Sequence, residues 1–199
     1  MPDDPLSGRQ LERFKNCLRH HQPLSEKSWA AAVDAFFYRR YPAGEHVIEA
    51  GRPVSRIGFL VDGLARYYYL TREGKEFNKS FARPGHPLTS IIALVSGQPS
   101  PFYIQALEDC ECFFISYPRF SALCEQYRDW GRLGHHLLEQ LAIKKERREA
   151  DFLLRTPQER YQQFLDAYGT MAERIPNYHI ASYLGITEVA LSRIRRRMG

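Results

Sequence analysis

Arg193, Arg195, Arg196 and Arg197 place four guanidinium groups within five positions near the end of the chain. Such groups donate paired hydrogen bonds to guanine edges or to phosphate oxygens, the chemistry of double-stranded DNA binding. The residues before them have the spacing of two helices meeting at a turn. Ala181 stands four positions before Gly185 and lets two helices approach; Gly185 can adopt positive φ, Ile186 fills the corner, and Leu191 and Ile194 return to one small core. This spacing predicts a helix-turn-helix. Thr187 can cap its second helix, leaving Glu188, Val189, Ser192, Arg193 and Arg196 outside while Leu191, Ile194 and Met198 face inward. On that outer face Arg193 suits guanine O6 and N7, Glu188 suits cytosine N4, and Val189 suits a thymine methyl. Arg195 and Arg197 suit phosphates, which add affinity and salt dependence without sequence preference. The competing reading is a solvated helix closing a small domain, and four arginines in five residues exceed what solubility needs.

The charge balance supports this address. The 199 residues carry a formal net charge of +5, and residues 193–199 hold four arginines and no acid, so the remaining chain is nearly neutral. With 44% hydrophobic and 26% charged residues the composition is that of an ordinary globular protein. No stretch is apolar enough to span a membrane and the N-terminus lacks a signal-peptide pattern. Cys17, Cys110, Cys112 and Cys124 form no C-x-x-C pair, which suits a reducing compartment and predicts a cytoplasmic protein.

The elements that must position the arginines are predicted from periodicity. Leu6, Leu11, Phe14 and Leu18 predict a first helix, and Ser25 caps a second in which Trp29, Val33, Phe36 and Phe37 recur before Pro42. From Tyr41 to Tyr117 short alternating runs separated by glycines predict an antiparallel barrel or roll, with a hairpin-type turn at Asp62-Gly63 and another at residues 72–75. Leu88 to Val95 reads as a short helical insertion. Trp130, Leu133, Leu137, Leu138 and Leu141 predict a long helix over residues 129–153, suited to pairing with its symmetry mate. Thr156-Pro157-Gln158-Glu159 is a capping box that opens a new domain. The expected fold class is α+β: a sensor roll over residues 1–128, a long helix and hinge over 129–155, and an all-α helix-turn-helix domain over 156–199.

Two separate regions resemble one family. Pro42-Ala-Gly44-Glu-His-Val-Ile-Glu-Ala-Gly51 with the strand leading to Asp62-Gly63, and Ile180-Ala-Ser-Tyr-Leu-Gly-Ile-Thr-Glu-Val-Ala-Leu-Ser-Arg-Ile194, are similar to the Crp/Fnr (catabolite activator) family. The resemblance implies a cyclic-nucleotide-binding-like antiparallel β-roll, a long dimerisation helix and a helix-turn-helix. It also implies a homodimeric transcriptional regulator, with double-stranded DNA, a second copy of the chain, RNA polymerase and a small-molecule effector as partners. The alternative is a ligand-binding module whose C-terminal domain contacts protein.

The chain departs from that family where a cyclic nucleotide would sit. Family members that bind one carry a Gly-Glu pair and, about ten residues on, Arg-Ser or Arg-Thr before Ala. Here Thr89-Ser90 and Ser100-Pro101-Phe102 stand instead, so the carboxylate and the arginine are missing. The expectation is that cyclic AMP is not used in the usual way. Lys79, Arg83, Thr89, Ser90 and Ser100 are the residues left to hold another anion, with His86 as a further source of charge. A roll filled by its own side chains is the competing reading. An iron–sulfur cluster needs more clustered cysteines, and His20, His21, His46 and His86 are lone candidates for a haem ligand. A cupin-type metal enzyme needs a His-x-His pair, whereas His46 is followed by Val47-Ile48-Glu49, so no enzyme activity is expected. A β-hairpin wing, common after the recognition helix in the family, has no counterpart in the residues up to Gly199.

Overall fold

The computed structural model describes residues 8–198, so Leu6 lies outside the described residues. Helix α1 (Gly8–Arg19) buries Phe14 and Leu18 on one face, as their spacing requires. Helix α2 (Glu26–Ala30) starts at Ser25, whose hydroxyl accepts from the Ser28 amide at 3.3 Å. It is shorter than its apolar spacing suggests. A 3-10 turn at Val33–Ala35 follows, and Phe36 and Phe37 are extended because strand β1 (Phe37–Tyr41) pairs with another strand before Pro42. Aromatic residues with high strand propensity joined the sheet, and tertiary pairing overrode the local helical period.

The roll consists of β1, β2 (His46–Ile48), β3 (Arg56–Asp62), β4 (Ala65–Leu70), β5 (Glu76–Ala82), β6 (Pro87–Leu88), β7 (Tyr103–Ala106) and β8 (Cys110–Ser116). A short helix α3 (Ile91–Ser96) precedes β7 and ends on Gly97 in the left-handed conformation. One four-stranded sheet has the order β1-β8-β3-β6 and the other β2-β7-β4-β5. Antiparallel β3 and β8 pair Ile57 with Ile115 and Phe59 with Phe113, aligning their buried faces. The Asp62-Gly63 turn is therefore not a hairpin turn, because β3 and β4 lie in different sheets and the chain crosses between them there. Gly63 takes φ +93°, and a Cβ at that position would overlap the Asp109 carbonyl oxygen. The predicted turn at residues 72–75 does join the hairpin strands β4 and β5, closed by a 3.0 Å bond from the Thr71 amide to the Lys75 carbonyl.

Four helices follow: α4 (Tyr117–Gln126), α5 (Arg128–Leu154), α6 (Pro157–Tyr168) and α7 (Asn177–Leu184), before the last, α8 (Glu188–Met198). At 27 residues α5 matches its predicted span within a residue at each end. The capping box at Thr156 forms with both reciprocal bonds. The architecture is α+β, an antiparallel roll with a long helix and C-terminal helices, as expected.

The chain gathers into two compact units, one of residues 8–67 and 81–140, the other of residues 68–80 and 141–198. The first unit has an aromatic core in which Phe14 stacks on Phe113 with centroids 4.4 Å apart and meets the edge of Phe36 at 4.8 Å. At the start of α5, Asp129 accepts from the Ser28 hydroxyl at 2.5 Å and the Ser25 amide at 2.8 Å. Burial opposes its charge, but these bonds outweigh that and hold the carboxyl below its ordinary pKa. The second unit combines the end of the β4–β5 hairpin with the C-terminal helices.

Candidate functional site

In the second unit α7 and α8 meet at Gly185, which takes φ +70° and lies against the Phe152 ring, so a side chain there would be strained and crowded. The Ile186 amide donates to the Ala181 carbonyl at 3.0 Å and closes the turn. Thr187 caps α8, accepting from the Ala190 amide at 3.2 Å. Leu191 and Ile194 are buried with Ile180, Ala181 and Leu184, as the spacing requires. Met198 is exposed rather than inward-facing, because it occupies the last turn of α8.

Thr187, Glu188, Val189, Ser192, Arg193, Arg196 and Arg197 are all exposed, and Val189 is 62% exposed, which is high for an apolar side chain. Glu188, Val189, Ser192, Arg193 and Arg196 share the lining of one open depression on this face. Arg195 differs from its neighbours. Its Nε donates to the Tyr161 hydroxyl at 2.8 Å and its guanidinium lies 5.5 Å from that ring, so it ties α8 to α6.

Sequence reasoning missed a second set of residues in this unit. Asn78, in the middle of β5, is 2% exposed, and its amide nitrogen donates to His179 Nδ1 at 3.1 Å and to the His179 carbonyl at 3.2 Å. Its backbone amide donates to Ser182 Oγ at 2.9 Å, and Ser182 Oγ donates to the Glu76 carbonyl at 3.1 Å. Arg148 of α5 donates to the Asn78 and Tyr183 carbonyls at 3.1 and 3.0 Å and stacks 4.0 Å over the Tyr183 ring. The hairpin thus braces α7. One signal was available: asparagine is depleted in strands, and one between Phe77 and Phe81 calls for a partner. Asn78→Ala is expected to cost about 1–3 kcal/mol, because it removes two buried hydrogen bonds to His179. Urea unfolding checks this, and a loss below about 0.5 kcal/mol would show that the brace carries little energy.

The residues predicted to hold a ligand do not converge on one set of partners, and of their hydroxyls those of Thr89 and Ser100 are spent on backbone carbonyls. Lys79 belongs to the second unit, where burial and then Lys145, Lys144 and Arg148 push its amine down to about 8. In the first unit the Arg83 amide donates to His86 Nδ1 at 3.4 Å, and Thr89 Oγ1 donates to the Arg56 carbonyl at 3.1 Å. Ser100 is buried with its hydroxyl on the Phe102 carbonyl at 2.8 Å, and Ser90 is fully buried with no partner for its hydroxyl. The Tyr67 and Phe102 rings lie 5.9 Å apart, with the Tyr67 hydroxyl on the Pro87 carbonyl at 2.5 Å. Aromatic side chains fill this part of the roll.

The thiols have no activating neighbours that prevail over burial. Burial raises all four, Cys110 and Cys124 to about 11, so they remain protonated near neutral pH. His20 bonds the Asn16 carbonyl at 2.7 Å and His21 the Gly85 carbonyl at 2.9 Å. Among the described residues, no group of three or more His, Cys, Asp or Glu is placed to hold a metal ion.

Residues 38–127 match the family model of the cyclic nucleotide-binding domain. Those residues run from β1 to one residue past α4, so the matched region coincides with the roll and its closing helix. Among curated proteins, none matches this chain. Solved structures carry the likeness further along the chain. The c-di-GMP responsive global regulator CLP of Xanthomonas campestris is 15% identical with a TM-score of 0.70, covering 87% of this chain and 91% of its own. FixK2 of Bradyrhizobium japonicum is 21% identical with a TM-score of 0.70, covering 81% and 83%. The catabolite activator protein of Thermus thermophilus is 18% identical with a TM-score of 0.57, covering 92% and 86%. At these identities the likeness establishes a shared fold. No helix among the described residues is long and apolar enough to cross a membrane.

Proposed function

We propose that the chain is a homodimeric DNA-binding transcriptional regulator of the Crp/Fnr type, in which the roll senses a signal and the long helix sets the spacing of the two α8 helices. The observation that carries this reading is the division of α8. Leu191 and Ile194 are buried, while Glu188, Val189, Ser192 and Arg193 stand exposed with donors, acceptors and a methyl-sized apolar contact for a major groove. Exposed Leu138, Ala142 and Ile143 on α5 support pairing through that helix, with RNA polymerase as a further partner. Two-fold symmetry places half-sites about 34 Å apart.

The filled roll and the replaced arginine support an effector other than cyclic AMP bound in the usual way. CLP, a c-di-GMP responsive protein of the same fold, supports the idea that such rolls take different signals. The proposed division of labour remains a sensor over residues 1–128, a dimerisation helix over 129–155 and a DNA-binding domain over 156–199.

Arg193→Ala tests the base-reading role. Against a duplex selected by the wild-type chain, affinity is expected to fall by about 5- to 150-fold, in line with about 1–3 kcal/mol for a bidentate arginine–guanine pair. Affinity for a scrambled duplex is expected to change far less. Equal losses on both duplexes would make Arg193 a phosphate contact. Absence of any duplex binding by the wild-type chain would replace this reading with a C-terminal domain that contacts protein.

A further inference from the structure

The first unit contains an open cavity of about 320 Å³ between β1, β2, β6, β8, the loop over residues 49–55 and the start of β3 at Arg56. Neither Ser90 nor Ser100 lines it. Its size lies at the small end of the roughly 300–1,000 Å³ typical of ligand pockets. The apolar part of its lining is aromatic and aliphatic. Phe37 and Phe114 stack there with centroids 5.5 Å apart, beside Ile48 and Leu88.

The rim is cationic. Arg39 is neutralised by Glu45 at 2.9 Å, and Arg52 meets Glu49 only at 3.7 Å. Arg56 makes no ion pair among the described residues, and its guanidinium lies 4.9 Å over the Phe37 ring. Stacking occupies the face of a guanidinium and leaves its edge N–H groups able to receive an acid group in a paired geometry.

The loop that leads into this arginine is fixed in place. The Gly51 amide donates to the Ser100 carbonyl at 2.8 Å, the Ser100 amide to the Arg52 carbonyl at 2.9 Å, and the Tyr117 amide to the Ser55 carbonyl at 2.9 Å. The Arg56 carbonyl itself accepts from Thr89. A site organised before binding loses little to ordering when a ligand arrives.

We propose that this cavity binds a small aromatic anion, its acid group on Arg56 and its ring on the Phe37–Phe114 floor. The proposal adds a ligand class to the roll and does not rest on DNA binding. The test is calorimetric titration of the full chain with 2-naphthoate, with 2-naphthylmethanol as neutral isostere and 2-naphthyl phosphate as the doubly charged arm. One saturable site per chain is expected for the two anions, their relative affinity separating a carboxylate from a phosphate ligand, and at least tenfold weaker binding for the alcohol. Arg56→Ala is expected to weaken the anions at least tenfold. Arg56→Lys should fall between, because it keeps charge and loses the fork. Arg56 is exposed, and unchanged melting temperatures of both variants verify that folding is intact. Equal binding of the alcohol, wild-type affinity in Arg56→Ala, or no binding of either anion overturns the proposal and leaves the regulator reading untouched.

Discussion

Raising monovalent salt from 50 to 200 mM is expected to weaken binding of the full chain to duplex DNA by about a hundredfold. The magnitude follows from the α8 side chains. Arg196 and Arg197 are exposed, whereas Arg195 is held by Tyr161 and Arg193 is assigned to a base. Two phosphate contacts on each protomer make four in a dimer, and each neutralised phosphate contributes about −0.9 to the slope of log K against log salt. Arg197→Ala, which removes one contact from each protomer, should make that slope shallower by roughly 2, while Arg195→Ala should leave it nearly unchanged. A flat salt dependence would exclude a phosphate-anchored interface and favour a protein partner.

Trp130→Ala is expected to destabilise the first unit by about 3–5 kcal/mol, the range for deleting a large buried ring. Trp130 is fully buried, stacked on Phe36 at 5.9 Å and edge-on to Phe120 at 6.1 Å. Its indole N–H donates to the Ser28 carbonyl at 3.1 Å, so truncation opens a cavity and also orphans a buried acceptor. Trp130→Phe should recover most of the packing and lose about 1 kcal/mol for the missing hydrogen bond. Urea unfolding followed by circular dichroism measures both. A loss below about 1 kcal/mol for the alanine variant would mean that the neighbouring rings collapse into the space.

The readable parts of this chain were those determined by local chemistry. The capping box at Thr156 needs only residues three apart, the α5 stripe needs only helical period, and the Gly185 turn needs only a residue tolerant of positive φ. Their accuracy has one cause, since each is stabilised by partners within a turn or two of chain.

The errors arose where distant partners decided. Phe36 and Phe37 have helical spacing but became extended because β1 could pair with β8, some seventy residues on. Asp62-Gly63 has the composition of a hairpin turn, yet β3 pairs with β8 and β4 with β7, so it became a corner between sheets. Composition cannot distinguish these outcomes, because the competing strands lie elsewhere in the sequence.

The amino-acid sequence by itself therefore determined the roll-then-helices order, the turn between α7 and α8 at Gly185 and the charge concentrated on α8. Only the tertiary structure decided which arginines of α8 remain exposed, that Asn78 braces α7, that Tyr67 and Phe102 pack together in the roll, and that Arg56 stands over the Phe37 ring. The physical reason is shared. Each of these depends on side chains brought together from separate segments, and burial and hydrogen bonding assign their roles after the segments have met.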